Sequence, residues 1–179
     1  MNDHVGPYQR GDITICSADA SPRSQRDTPD EAARFFPKGR WVGACRNAAD
    51  RQQCRFVILT TAHGMVNPFE VIDPYDVAIE SHLAQVNAKW IETIPRLLGA
   101  GNEDRLLVFY SGGCPREHYT DLMRPILRPL RISLITFGRP NMYDIGRLDD
   151  FVTLVAAGTS LHALREILRV PERLAFYRC

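Results

Sequence analysis

Four short apolar runs punctuate the chain: Ile13-Thr14-Ile15-Cys16, Phe56-Val57-Ile58-Leu59-Thr60-Thr61, Leu106-Leu107-Val108-Phe109-Tyr110 and Ser133-Leu134-Ile135-Thr136-Phe137. Each is too short for a helix, rich in β-branched or aromatic residues, and ends in small or turn residues. Near-continuous rather than alternating apolarity is the pattern of strands covered on both faces. Between these runs apolar positions recur at helical spacing. In residues 79–98, Leu83, Val86, Trp90, Ile91, Ile94 and Leu98 share one face, and Gly99 and Gly101 supply the stop. Residues 29–48 have an acidic start and are divided into two pieces by Pro37 and Gly39. Residues 116–127 read as a helix kinked or ended near Pro125. Residues 151–168 read as one or two helices parted near Gly158-Thr159-Ser160, where Thr159 or Ser160 would cap the second.

Strand-helix alternation predicts an α/β fold: one three-layer, Rossmann-like domain over residues 1–179, with a mostly parallel sheet flanked by helices. Residues 1–11 are expected to be a flexible N-terminus. Residues 17–28 read as an exposed loop. The stretch 169–179 is apolar enough either to pack on the domain or to extend a neighbour's sheet. In open α/β sheets ligands bind at the carboxyl ends of the strands, so the loops that follow the four runs are where chemistry is expected.

The bulk numbers narrow the partners more than the reaction. The chain has 179 residues, 45% hydrophobic and 24% charged, with a net charge of +1. That excludes compositional disorder and a global field for nucleic acid or an anionic membrane, so any nucleic-acid contact needs a local basic patch. Arg124, Arg128 and Arg131 are spaced like a solvated helix face. No apolar run approaches the roughly 20 residues of a membrane span, and the polar start lacks a signal-peptide core. The five cysteines (Cys16, Cys45, Cys54, Cys114, Cys179) form no C-x-x-C pair. They read as reduced thiols of a cytoplasmic protein, with neither a metal nor a cofactor implied.

The loop after the second run is the richest in chemistry. It places His63, Glu70, Asp73, Tyr75 and Asp76 within a short span. A strand-end histidine beside carboxylates suits general acid or base work, and Gly64 lets the backbone approach a ligand. His63 and Asp76 are the catalytic candidates, with Thr61, Asp73 and Tyr75 as binding candidates. The rival reading is that these groups brace a long loop. After the first run, Cys16 and Ser17 are binding candidates, while Asp19 reads as a loop cap. After the third, Ser111-Gly112-Gly113 suits an anion-binding nest or a plain turn, and Cys114 is a weak nucleophile candidate. Tyr119, on the following helix, faces the cleft while His118 faces solvent.

The stretch from Phe56 to Ile79 resembles a bacterial and phage family of unknown function. Its hallmarks are a strand end in Cys-Ser (Cys16-Ser17), a Ser/Thr-Ala-Lys-His-Gly-Leu/Met turn (Thr60-Thr61-Ala62-His63-Gly64-Met65) and a later Pro-Tyr-Asp (Pro74-Tyr75-Asp76). Tyr110-Ser111-Gly112-Gly113 and Tyr119 match its later strand, turn and helix. Two departures stand out: the lysine before the histidine is Ala62 here, and the lysines after Cys-Ser are replaced by Ala18-Asp19-Ala20. The turn also distantly resembles the catalytic domain of archaeosine synthase, which modifies a 7-deazaguanine base and has a fold related to uracil-DNA glycosylases. That resemblance implies a nucleobase pocket at the strand ends. Three readings follow: an enzyme of base modification or N-glycosidic chemistry, a non-catalytic nucleotide-binding or regulatory domain, and a structural or interaction module. In the first, Ser17 and the Gly112 and Gly113 amides hold the ligand, and Phe69, Tyr75 or Tyr119 stacks on the base.

Overall fold

The computed structural model describes residues 5–19, 28–36, 40–77, 79, 81–99, 104–110, 116–137, 146–168 and 175–178. Its centre is a six-stranded sheet in which all four apolar runs are strands: β1 (Ile13–Ala18), β3 (Arg55–Thr60), β6 (Arg105–Tyr110) and β7 (Ile132–Phe137). They are mutually parallel in the order β3-β1-β6-β7. The short strands β4 (Gly64–Val66) and β8 (Ala175–Tyr177) close the two edges in antiparallel sense, against β3 and β7. A separate two-residue pairing joins β2 (Asp30–Glu31) to β5 (Val71–Ile72).

Side chains alternate across the pleat, so each strand feeds two cores. Ile13 and Ile15 of β1, Phe56 and Ile58 of β3, and Leu106 and Val108 of β6 point to one face. There they meet α1 (Arg40–Gln52), α4 (Leu148–Ala156) and α5 (Leu161–Leu168). Cys16, Val57, Leu59, Leu107 and Phe109 point to the other. That face is covered by α2 (Leu83–Leu98) and α3 (Arg116–Leu127). This is why the runs are apolar throughout: burying each large side chain contributes about 1.5–3 kcal/mol, and neither face is left to water. The architecture is a three-layer α/β domain with a mostly parallel sheet.

The helices follow their sequence signals with instructive exceptions. Gly99, at φ +71°, ends α2 as expected. Ser160 Oγ accepts from the Ala163 amide at 3.2 Å, capping α5. The buried stripe of α2 is Val86, Trp90, Thr93, Ile94 and Leu98. Leu83 and Ile91, expected on it, are 45% and 54% exposed. The stripe passes through Thr93 instead, whose hydroxyl accepts from the Met65 amide of β4. Helix α2 begins at Leu83 rather than at residue 79. The acidic first piece of residues 29–48 is β2 and a 3-10 turn (Ala32–Phe35), not a helix. The end of the chain extends this protein's own sheet as β8.

The chain runs from β1 outward to β3 and returns past β1 to β6, so the crossover direction reverses between β1 and β6. Open α/β sheets bind their ligands at the carboxyl side of such a reversal.

Candidate functional site

At that position the structure places a carboxylate. Asp19 follows β1, its amide donates to Leu59 O at 2.9 Å, and the residue is 6% exposed. Its Oδ2 accepts from the Tyr75 hydroxyl at 2.9 Å and from the Thr61 amide at 3.3 Å. Its Oδ1 accepts from the Tyr119 hydroxyl at 3.4 Å. Thr61 Oγ1 lies 3.3 Å from Oδ2 and 2.7 Å from Val77 O. A hydroxyl carries one proton, and the shorter contact claims it, which fastens residues 73–77 across the strand end.

Each donor is itself held. Tyr119 is buried between the Phe109 ring, stacked at 5.6 Å, and the Trp90 ring at 5.2 Å. Trp90 Nε1 donates to Thr60 O at 2.9 Å, tying α2 to the end of β3. Tyr75 is half-buried, and its ring meets the His63 ring edge-on, 5.1 Å apart at 83°.

The turn that carries His63 is locked from below. The His63 amide donates to Thr60 Oγ1 at 2.9 Å, and that hydroxyl donates to Gly64 O at 3.1 Å. Gly64 has φ +76°, and a Cβ there would run into Thr93 Oγ1 and Lys89 O. Thr93 donates to Lys89 O at 2.7 Å and accepts from the Met65 amide at 2.9 Å. Gly64 therefore serves a close helix–turn approach as well as a left-handed backbone. His63 Nε2 sits 2.9 Å from Asp73 O. A carbonyl only accepts, so Nε2 carries the proton, and Nδ1 presents the ring's lone pair when the imidazole is neutral.

The sequence candidates thus separate. Thr61, Tyr75 and Tyr119 converge on one carboxylate. His63 touches that group through Tyr75 and is oriented by the Asp73 main chain. The Asp73 and Asp76 side chains are exposed. Cys16 and Ser17 are wholly buried beneath the strand end, with Ser17 Oγ donating to Ala18 O at 2.9 Å. His118 is exposed, as expected. Ser111, Gly112, Gly113 and Cys114 lie outside the described residues, as do the loop at 138–145 and most of the loop at 17–28.

Asp19 is the group the sequence undervalued. Its partners are 42, 56 and 100 positions away, and no local pattern announces them. The only signal was an acid at the first strand end. Among the described residues no group of three or more His, Cys, Asp or Glu could hold a metal ion. None of their helices is long and apolar enough to cross a membrane.

The model of DUF6884, a family of unknown function, matches residues 20–137, most of the chain. The chain belongs to this family. The match spans the His63 turn, Tyr75 and Tyr119 and begins one residue after Asp19. No curated protein and no solved structure matches the chain. The likeness to archaeosine synthase therefore rests on the turn residues alone, while membership in DUF6884 bears out the resemblance to a family of unknown function.

Proposed function

We propose that the carboxyl ends of β1 and β6 bind a nucleobase or nucleotide and carry out base modification or N-glycosidic chemistry, with Asp19 as the reactive centre. The observation behind this reading is the buried carboxylate itself. Removing an ionised carboxylate from water costs several kcal/mol unless hydrogen bonds compensate. A loop brace does not need a carboxyl group there, since neutral or apolar groups of similar size often serve as well. In the proposed reading a base-edge N–H or an attacking water would displace the long 3.4 Å contact of the Tyr119 hydroxyl at Asp19 Oδ1. In N-glycoside hydrolysis, water would add to the sugar carbon as the carbon–nitrogen bond breaks. Asp19 would take the water's proton, and His63, protonated at Nδ1, would give one to the departing base. Tyr75 would keep Asp19 and His63 in register, and Phe69, 58% exposed with the Arg46 guanidinium 5.0 Å over one face of its ring, would offer the other face to a base.

The structural-module reading draws on one specific feature: Thr61, Tyr75 and Tyr119 already occupy both Asp19 oxygens. In that reading the carboxylate is a latch between loops. A thermal-shift screen against nucleobases, nucleosides, nucleotides and 7-deazaguanines separates the two, with His63→Gln and Asp19→Asn alongside. A ligand at a hundredfold excess over its dissociation constant stabilises by about 2.7 kcal/mol. A shift confined to one purine-like class and lost in both variants supports the binding site, and turnover of that ligand then tests catalysis. A flat screen on well-folded protein, with Asp19→Asn merely less stable, leaves the latch.

A further inference from the structure

We propose a second binding site in the cleft between α2 and α3, suited to a small organic amine: an apolar body that carries an ammonium group. A hollow of about 410 Å³ opens there, within the roughly 300–1,000 Å³ of small-ligand sites. Ile91, Leu122, Ile126 and Leu130 supply its apolar walls. Ile91, which the buried stripe of α2 leaves out, is thus one side of a concavity rather than an isolated surface residue.

What singles the hollow out is its main chain. Three prolines line it: Pro95 inside α2, Pro125 inside α3, and Pro129 in the 3-10 turn (Arg128–Leu130) that follows. In an α-helix each carbonyl points along the axis at the amide four residues on, and proline has no amide hydrogen. Pro95 therefore denies that donor to Ile91 O, and Pro125 denies it to Asp121 O. Ile91 and Asp121 line the same hollow as their prolines, so both carbonyls run along its walls. A carbonyl short of its helical donor gains from a ligand N–H.

Charge points the same way. Arg105, at the start of β6, donates to Leu98 O at 2.6 Å and Gly99 O at 2.8 Å, and also to Leu130 O at 3.1 Å. The ends of α2 and of the turn after α3 are therefore neighbours, and each carboxyl-terminal helix end carries negative partial charge. One cation of the fold already gathers main-chain carbonyls there. The hollow itself has no basic residue in its lining, and Asp121, which makes no ion pair among the described residues, adds a carboxylate. Asn87 is the one lining side chain with a donor. Acceptors and negative charge beside apolar walls match an ammonium, which brings a positive charge and N–H donors together.

Strands β6 and β7 begin just after α2 and α3 end, which sets the cleft at the amino ends of the parallel strands. Asp19 follows the carboxyl end of β1. The cleft is therefore independent of the proposed chemistry.

The test is an amide-resolved NMR titration of the full chain with phenethylamine, 2-phenylethanol and trimethyl(2-phenylethyl)ammonium. Phenethylamine is expected to move the Asn87, Ile91, Leu122 and Ile126 amides. It should bind roughly fivefold or more tightly than the neutral alcohol or the quaternary ion, which has charge but no N–H. Asp121→Asn should weaken it by a similar factor. Pro95→Ala/Pro125→Ala returns both helical amides, so the melting temperature should hold or rise while amine affinity falls about fivefold or more. Prolines with a purely structural role would give the first change without the second, and that result overturns the proposal. So does an absence of shifts with phenethylamine, equal binding of the alcohol, or shifts centred on Thr61, Tyr75 and Tyr119 instead. Tighter binding of a lysine-bearing amphipathic peptide than of the amine also overturns it, since the cleft would then be a protein-docking groove. Amine binding here alongside a flat nucleoside screen removes the Asp19 reading and keeps this site.

Discussion

The hydroxyl of Tyr75 donates to Asp19 Oδ2 across 2.9 Å, joining segments 56 residues apart at the carboxyl end of the sheet. Removing the donor while keeping the ring isolates this contact. Tyr75→Phe is expected to cost about 1–2 kcal/mol, since hydrogen bonds to charged groups lie in the upper range and this one is half-buried. For a domain of this size that is roughly 2–8 °C of melting temperature. An unchanged melting curve would mean the two loops are held by other contacts.

Gly64 is expected to tolerate no side chain. Gly64→Ala sets a Cβ against Thr93 and Lys89 at φ +76°. It should cost ~3 kcal/mol in urea unfolding, from overpacking and left-handed strain together. Adding Thr93→Ala relieves the clash, so the double variant should be less destabilised than the sum of the single ones. Strict additivity would show that the backbone conformation alone carries the cost.

Trp90 supplies the buried donor for Thr60 O. Trp90→Phe leaves that carbonyl without its donor and leaves a small void, for about 2–4 kcal/mol. Circular dichroism during urea unfolding measures it. A loss below 1 kcal/mol would mean that water enters and satisfies the carbonyl.

Alkaline pH should destabilise the fold through its thiols. Burial pushes the Cys16 and Cys45 thiols well above their ordinary range, and burial raises Cys54 to about 11. A raised folded value means the folded chain keeps protons that the unfolded chain releases. Stability is then fully present below the unfolded value near 9 and is lost as pH climbs towards the folded values. Each retained proton lowers the unfolding free energy by about 1.4 kcal/mol per pH unit. Urea midpoints that fall between pH 9 and 10.5, with a shallower fall in Cys45→Ala, are the expected result. A level profile would overturn it. Thiol reagents at pH 8 should label Cys54 slowly and leave Cys16 and Cys45 untouched until the chain unfolds.

The strands were readable because both faces of the sheet are covered, which turns each of them into an unbroken apolar run. Helix α3 was readable to its last residue because Pro125 falls within its final turn, so the one helical hydrogen bond that its missing amide forfeits comes just before the helix ends. What could not be read depends on separation or brevity. Strand β4 is three residues inside what looks like a turn, and its pairing depends on the Thr60–Gly64 contact rather than on propensity. Ile91 looked like core because it is apolar and adjacent to Trp90. The buried stripe instead passes on the other side of Trp90, through Thr93, whose hydroxyl serves the Met65 amide. Asp19 looked like a local cap because its partners come from three distant segments. His63 was legible as a feature of the site, but the partner of its ring is a main-chain carbonyl, a choice that side-chain identities do not encode.

Strand β8 gives the sheet a vulnerable interval during synthesis. Until its three residues emerge, β7 presents an open row of amides and carbonyls beside apolar side chains, the kind of edge that other chains pair with. A nascent or truncated chain lacking Ala175–Tyr177 would carry that edge unpaired, so it should aggregate more readily than the chain that carries β8.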